Sequence, residues 1–148
     1  MPSRPSPADY RRLHDFRYSI RRFLHFSEEA IREAGIEPQQ HQLLLAIKAR
    51  SDASGLGVRD IAERLLLRHH SAVELVDRAE TRGLVSRHPD ENDRRQVLIR
   101  LTPAGEQVLA RLAAAHLDEL RTSAPELIDV LAAIVDQAAP AAVPVAAE

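Results

Sequence analysis

Cysteine is absent from this chain of 148 residues, and only 3% of its residues are aromatic. The lack of cysteine excludes a disulfide framework, a thiolate metal site and oxidant sensing through a thiol. Few aromatic residues, combined with many alanines and leucines, favour helices over a β-rich fold. No apolar run is long enough to span a bilayer, and the first residues do not resemble a signal peptide. We therefore expect a cytoplasmic protein without membrane association.

The balance of charge is nearly even, with a formal net charge of −2. Its distribution is more informative than its sum, because the first 27 residues carry six arginines against two aspartates. A second basic group lies further along the chain, at Arg87, Arg94, Arg95 and Arg100. A local basic surface is therefore compatible with a nearly neutral protein, although a solvated surface of mixed charge explains the same residues.

Apolar residues recur at helical spacing toward both ends of the chain. The predicted helices cover residues 8–34, 38 to about 50, 103 to the break expected at Pro125, and 126–138. Residues 51–57 are predicted to form a polar loop. The chain is long enough for one domain, and 45% of its residues are hydrophobic, which is sufficient for a core.

The middle of the chain has two short helical patterns and then two strand patterns. The helices are predicted from Val58 to about Leu66 and from His69 to about Arg82. The second helix is expected to turn four residues inward, namely Ala72, Leu75, Val76 and Ala79. Gly83 is expected to cap it. The strands, at 84–88 and 96–101, flank a polar turn at 89–95, which is typical of a β-hairpin.

These elements predict a mainly α fold with a small β-hairpin wing. The architecture is a winged helix-turn-helix flanked by N- and C-terminal dimerisation helices. We expect residues 1–7 to form a flexible arm, 8–138 the folded domain and 139–148 a disordered tail. Within the domain, 58–101 is the DNA-binding lobe, and 8–34 and 103–138 are the dimerisation helices. Their apolar character favours a two-fold homodimer over a helical core within one chain.

A helix pair of this kind can place its second helix in the DNA major groove, where the N-terminal residues meet base edges. The candidate contacts are Arg68, His69, His70, Ser71, Val73, Glu74 and Arg78. Glu74 can accept a hydrogen bond from cytosine, but it can equally pair with Arg78 one turn on. The adjacent histidines are poor joint metal ligands, because neighbouring residues point in different directions from a helix.

The tip of the hairpin carries Asp93, Arg94 and Arg95. Asp93 can hold the side chain of Arg95 through charge-assisted hydrogen bonds, and a pre-ordered arginine can enter a narrow minor groove. Arg94 is expected to meet phosphate. A solvated polar turn explains the same residues, and the helix pair upstream favours the DNA interpretation.

The segments IAERLLLRHHSAVELVDRAETRGLVSR and DENDRRQVLIRLTPAGEQVL resemble the MarR family of bacterial transcription factors. The resemblance covers about Ala8 to Ala138. It implies an obligate homodimer with a triangular helical body and two winged lobes, which binds a short palindrome, usually as a repressor. The family's wing aspartate and minor-groove arginine fall on Asp93 and Arg95. Many relatives have Ser or Thr followed by Arg where this chain has Val73 and Glu74, so operator preference is not carried over.

Small ligands of that family usually bind between the dimer helices and the winged lobe, which implies an effector pocket here. The candidate residues are His14, Tyr18, Arg22, His25, Gln40 and His41. They can form a polar pocket for an anionic aromatic ligand or a His-based metal site. We favour a simpler interpretation, because half-exposed histidines and tyrosines commonly line helical dimer seams. His116, on an apolar stripe, is expected to be a satisfied interface histidine.

The sequence therefore predicts a sequence-specific regulator of transcription, a ligand-responsive repressor that binds a palindromic operator in double-stranded DNA as a homodimer. The alternative is a winged-helix module that binds other proteins without reading DNA. An enzyme is disfavoured, because there is no phosphate-binding glycine loop, nucleophile–base pattern or close pair of catalytic carboxylates. We expect no cofactor and no bound metal.

Overall fold

The structure, a computed structural model, describes residues 4–50 and 53–137. Within them, the elements are α1 (Pro7–Glu33), α2 (Pro38–Lys48), β1 (Leu56–Gly57), α3 (Val58–Arg64), α4 (His69–Thr81), β2 (Val85–Pro89), β3 (Val97–Leu101) and α5 (Pro103–Asp136). The predicted fold class is confirmed, since helices dominate and a small antiparallel sheet follows the α3–α4 pair. None of the helices in the described residues combines the length and the apolar character that a membrane crossing requires.

The chain divides into two compact units. The first contains the described residues up to Ser27 and from Leu117 onward, and the second runs from Glu28 to His116. Both long helices, α1 and α5, therefore contribute residues to each unit. The second unit holds the complete helix pair and the sheet.

The inward face of α4 is the centre of the core of the second unit. Ala72, Leu75, Val76 and Ala79 are all fully inaccessible to solvent, which confirms the face predicted from the sequence. Fully buried side chains from the surrounding elements complete this core, namely Leu43, Leu44, Leu56, Ile61 and Ile99. Burial of these apolar surfaces fixes which side of α4 remains exposed.

The hairpin is confirmed, with β2 antiparallel to β3 and Val85 opposite Leu101. Pro89 was assigned to the turn but is the last residue of β2, where it lies opposite Val97. A proline is tolerated there because β2 is an edge strand of the β1–β3–β2 sheet. The missing backbone N–H therefore leaves no gap in the interior of the sheet.

A strand that the sequence did not predict lies on the other edge of β3. The loop predicted at 51–57 extends too far, because its last two residues, Leu56 and Gly57, form β1 and pair with Ile99 and Leu98. Gly55 approaches this pairing with a φ of +95°, and a Cβ there would collide with the carbonyl oxygen of Ile99. Two residues are too few to show a strand period, which is why the pattern was missed.

The predicted break at Pro125 was also wrong, because α5 is one helix of 34 residues that passes through it. Proline removes one backbone donor and crowds the carbonyl four residues earlier, but it does not always end a helix. In the preceding turn, Thr122 Oγ1 donates to the Asp118 carbonyl and Ser123 Oγ donates to the Glu119 carbonyl. Such back-bonding hydroxyls are a known means of bending a helix without stopping it.

The ends of the predicted domain shift slightly. Pro7 was assigned to the flexible arm but begins α1, and the Ser6 backbone N–H donates to the Asp9 carboxylate at 2.7 Å as a cap. At the other end α5 stops at Asp136. The predicted disordered tail at 139–148 and the first three residues of the arm lie outside the described residues.

Candidate nucleic-acid interface

The first turn of α4 presents polar side chains away from the core. Arg68, in extended conformation, precedes the helix, and the side chains of Arg68, His69 and His70 are exposed. Ser71 and Val73 are half-buried and Glu74 is exposed. A helix start with free backbone N–H groups and exposed donors suits contact with an anionic surface. The candidates on α4 before Arg78 therefore lie on or beside one accessible helix start.

The turn before α4 contains Leu66, which sequence reasoning did not select. Leu66 has a φ of +54° and is 91% exposed. A left-handed conformation is strained for a residue with a Cβ, and no packing of the leucine side chain compensates for it. The only signal in the sequence was a run of three leucines, of which the third, Leu67, packs against the core.

Arg78 lies near the end of α4, and its bonds are to the start of α2. Its Nε donates to Glu37 Oε2 and its Nη2 to Gln39 Oε1, both at 3.4 Å. The suggested pairing of Arg78 with Glu74 is therefore not the one that forms. These contacts connect α4 to α2 across the outside of the core.

The wing tip is organised by carboxylates that accept from the backbone. Asp93 Oδ1 accepts from the N–H of Arg95 at 3.1 Å, and Asp90 Oδ1 accepts from the N–H of Asn92 at 2.9 Å. The expectation that Asp93 holds the Arg95 side chain was wrong, since no ion pair between them occurs in the described residues. An aspartate two residues upstream of a free N–H commonly closes an Asx turn instead. Asp93 therefore shapes the turn from which Arg95 projects.

Arg87 joins the wing to α4. Its Nη1 donates to Glu80 at 2.7 Å and its Nη2 to Asp77 at 2.5 Å. The hydrogen bond with Asp77 raises the pKa of the Arg87 guanidinium, and the nearby charge of Glu80 adds to the effect. The sequence signal was a pair of acids three residues apart on one helix face, but it did not reveal which arginine they would bind.

Five of the nine arginines in residues 58–101 fall into two groups. Arg78 and Arg87 are paired with acceptors inside the protein. Arg68, Arg94 and Arg95 are exposed, and no acidic partner for them occurs among residues 4–50 and 53–137. The unpaired cations lie at the start of α4 and at the tip of the wing, where phosphate contacts are formed in winged-helix recognition.

Of the predicted effector residues, four lie on α1 in the first unit. His14 and Tyr18 stack with ring centroids 6.1 Å apart, and the Arg22 guanidinium lies 5.8 Å from the Tyr18 centroid. Arg22 also pairs with Glu126 at 3.5 Å. His25 is exposed further along the same helix. The structure therefore brings His14, Tyr18 and Arg22 into one polar strip.

Gln40 and His41 lie in the second unit and are buried, so they are not half-exposed seam residues. Gln40 Oε1 accepts from the Glu37 N–H at 2.9 Å, whereas its buried Nε2 has no hydrogen-bond partner in the part of the chain described. His41 stacks on His116 with centroids 4.9 Å apart. Burial lowers the pKa of His41, and the charge of His116 lowers it further. Among the described residues, no group of three or more His, Asp or Glu is arranged to hold a metal ion.

Comparison with known proteins finds bacterial transcriptional regulators. The MarR family model matches residues 34–96. The chain is 34% identical over 84 residues to BadR, the transcriptional activatory protein of Rhodopseudomonas palustris, an alignment that covers 57% of this chain and 48% of BadR. The chain spans about half the length of the curated relatives it matches, 48% and 58% of them.

Two solved structures have the same fold. AbsC, a MarR family transcriptional regulator from Streptomyces coelicolor, superposes with a TM-score of 0.72 over 91% of this chain and 97% of its own, at 18% identity. CouR from Rhodococcus jostii RHA1, solved with bound p-coumaroyl-CoA, superposes with a TM-score of 0.60 over 76% of this chain and 82% of its own, at 27% identity. The likeness to AbsC concerns the fold alone.

Proposed function

We propose that this chain is a transcriptional regulator of the MarR family that binds duplex DNA through α4 and the wing. The observation that carries the proposal is the separation of paired from unpaired arginines. Arg87 fixes the wing against α4 by bonds to Asp77 and Glu80. Arg94 and Arg95 at the wing tip remain without acidic partners in the described chain. A rigid frame with free cations at its two projecting ends suits a groove flanked by phosphates.

The working form is a homodimer that reads a palindromic operator, because two copies of one lobe match two half-sites. Support comes from the first unit, which leaves large apolar side chains exposed on α1 and α5, including Tyr10, Leu13, Leu24, Leu117, Ile128 and Val135. Exposure of this extent on two helices is typical of an interface that a second subunit covers.

The regulator responds to a small ligand. Gln40 supports this part of the proposal, because a buried amide nitrogen without a partner is costly unless an acceptor atom satisfies it. His41 lies beside it, buried against His116. A ligand oxygen that accepts from Gln40 Nε2 would remove the penalty. CouR, with its bound thioester, is a solved relative that takes a ligand.

We infer repression as the direction of control, since a dimer on its operator excludes other proteins from the same DNA. Activation is the second candidate, favoured by the match to BadR. A reporter gene behind the selected operator, read with and without the protein, separates the two. A winged-helix module that binds proteins without reading DNA predicts that no operator is selected at all.

The test begins with selection of duplexes from genomic DNA by the purified full chain. The affinity of the enriched duplex is then measured by fluorescence anisotropy for Arg95→Ala and for Arg121→Ala. Arg121 is exposed and lies in the first unit, so its loss removes the same charge away from the lobe. We expect R95A to weaken binding at least about tenfold and R121A to change it less than about twofold. Equal effects of the two variants, or no enriched sequence, contradict the proposal.

A further inference from the structure

We propose that Leu66 reads a thymine of the operator, by packing its side chain against the C5-methyl group that thymine presents in the major groove. The inference rests on the proposed binding of duplex DNA. Leu66 lies in the turn between α3 and α4 and is 91% exposed, more than any other large hydrophobic side chain among the described residues. A single exposed leucine is ordinary on a protein surface, but this one differs in its backbone conformation and in its neighbours.

The backbone of the turn fixes the direction of this side chain. The Leu66 N–H donates to the Glu63 carbonyl at 3.3 Å and the Leu67 N–H donates to the Ala62 carbonyl at 2.8 Å, which is the Schellman arrangement at a helix end. Glycine is the usual residue at the left-handed position of that arrangement, which Leu66 occupies with a φ of +54°. Leu65 and Leu67 pack against the core, so the middle leucine of the three is the one that the turn holds in solvent.

The conformation of Leu66 is unfavourable in two respects. A left-handed backbone is strained for a residue with a Cβ, and the side chain gains nothing from packing because it stays in water. Strained residues cluster at ligand clamps and other functional sites. A contact made only in the DNA complex gives the leucine side chain the burial that the free protein does not.

Leu66 has an unpaired cation on each side. Arg64 ends α3 and Arg68 precedes α4, and both are exposed. Neither has an acidic partner in the described part of the chain. A partner for this surface therefore combines an apolar group with anions on both sides, as does a thymine methyl in a groove bordered by phosphates. An apolar protein surface fits less well, because it would bury two guanidinium groups without acceptors.

The chemistry of leucine selects the base. Its side chain has no hydrogen-bond donor or acceptor, and among the groups that base pairs present in the major groove the thymine methyl is the apolar one. Leu66 precedes by three residues His69, the first residue of α4, and the start of this helix meets base edges in helix-turn-helix recognition. Leu66 therefore favours thymine at the position that it contacts, whereas Arg64 and Arg68 contact phosphates in any sequence.

Replacement of thymine by deoxyuridine tests the contact, because it removes the C5-methyl group and leaves the hydrogen-bonding groups of the base in place. The thymines of the duplex enriched from genomic DNA are replaced in turn, and the affinity of the full chain is measured by fluorescence anisotropy. We expect replacement at one position to weaken binding of the native chain about fourfold, the effect of one buried methyl group, and to leave binding of Leu66→Ala unchanged. The proposal is overturned if the native chain has no sensitive position, or if Leu66→Ala retains every sensitivity.

Further variants separate the side chain from the conformation of the turn. Leu66→Ala and Leu66→Asn are each expected to weaken the unsubstituted duplex about fivefold, although asparagine suits a left-handed backbone and alanine does not. Leu66→Met keeps a large apolar side chain and should stay within about twofold of the native affinity. Leu45→Ala, which removes an exposed leucine from α2, should bind as the native chain does. Thermal denaturation verifies that each variant is folded, and native affinity of Leu66→Asn overturns the contact.

The outcomes separate this contact from DNA binding itself. If no duplex is enriched, the DNA-binding function fails and the thymine contact fails with it. If the native chain and Leu66→Ala bind an enriched duplex equally, DNA binding stands and the contact is overturned, which leaves an acidic protein surface as the partner of Leu66. If Leu66→Ala weakens the thymine and deoxyuridine duplexes by the same factor, the side chain contacts deoxyribose and the thymine assignment is overturned.

Discussion

The imidazole rings of His41 and His116 lie nearly parallel, at 11°, with their centroids 4.9 Å apart. Both residues are buried, at 9% and 8% exposure, and they join α2 to α5 within the second unit. His116 Nδ1 lies 2.6 Å from the Leu112 carbonyl oxygen, so this nitrogen carries a proton and donates it. Protonation of His41 would therefore place a positive charge in a buried site beside a neighbouring ring.

This pair predicts a loss of stability in mild acid. Because the pKa of His41 is lower in the folded chain than the usual 6.5, the unfolded chain binds protons more readily. The contribution of His41 to the free energy of unfolding is therefore complete above pH 6.5. It falls as the pH drops below that value, until His41 is protonated in the folded state as well. The measurement is the melting temperature between pH 7.5 and 5.5, a window above the ordinary carboxyl pKa values.

The control for this pH effect is a matched pair of variants. His41→Gln should flatten the slope of melting temperature against pH, whereas His14→Gln, at an exposed position in the first unit, should retain the native slope. A native slope in His41→Gln would assign the acid sensitivity to other groups.

Replacement of Arg87 should loosen the wing. Arg87→Lys keeps the charge, but an ammonium group lacks the planar fork with which Arg87 binds Glu80 and Asp77 at the same time. We expect R87K and R87A each to lower the free energy of unfolding by about 1 kcal/mol, because the contacts are charge-assisted but partly exposed. Urea denaturation measures this, with Arg111→Ala as the exposed control. A fully native stability of R87K would mean that charge alone, without the fork, is sufficient.

Leu66→Gly should stabilise the protein. The left-handed conformation costs a residue with a Cβ about 1–2 kcal/mol, and glycine adopts it freely. Part of the gain is offset by the greater freedom of glycine in the unfolded chain, so we expect a net increase of about 0.5–1 kcal/mol. Leu66→Ala is the matched control, since it removes the exposed side chain but keeps the Cβ. Equal stability of the two variants in thermal denaturation would contradict backbone strain as the cause.

Gly105→Ala should destabilise the protein, although alanine is normally the better helix residue. A Cβ at Gly105, in the first turn of α5, would collide with the Leu84 carbonyl oxygen. That oxygen also accepts from the Thr102 N–H at 3.0 Å, so it cannot move freely. We expect a loss of about 1–3 kcal/mol, as for overpacking in a core. The control is Ala104→Gly at an exposed position, which should lower the free energy of unfolding only by the difference in helix propensity, about 1 kcal/mol. Stability is measured by calorimetry, and a G105A variant more stable than the native chain would exclude the clash.

Elements with a repeated pattern were predictable from the sequence. The inward face of α4 followed from apolar residues at helical spacing, and the hairpin from two strand patterns around a polar turn. The strand β1 was not predictable in this way, because two residues contain no period and its pairing depends on β3, some forty residues later. The helix through Pro125 likewise depends on local bonding that a proline rule does not include.

The sequence identified candidate residues of the nucleic-acid interface, but it did not identify the hydrogen bonds and ion pairs that these residues form. The sequence placed Asp93 near Arg95, but the choice between a backbone N–H and a guanidinium is made by the turn geometry. It also placed Arg78 near Glu74, yet the partner is Glu37, which comes from another helix. Such choices depend on which acids the fold brings close, and spacing along one helix does not contain that information.

The internal pairing of Arg78 and Arg87 has a consequence for the response of operator binding to salt. An arginine that neutralises a phosphate releases a bound counterion, and each contact contributes about −0.9 to the slope of log affinity against log salt concentration. An arginine already paired with Asp77 or Glu37 releases none. If Arg78 and Arg87 also made phosphate contacts, the slope would be steeper by about 1.8 per chain than for Arg68, Arg94 and Arg95 alone. The dependence of operator affinity on salt concentration therefore measures how many arginines are free of internal acidic partners and contact phosphates.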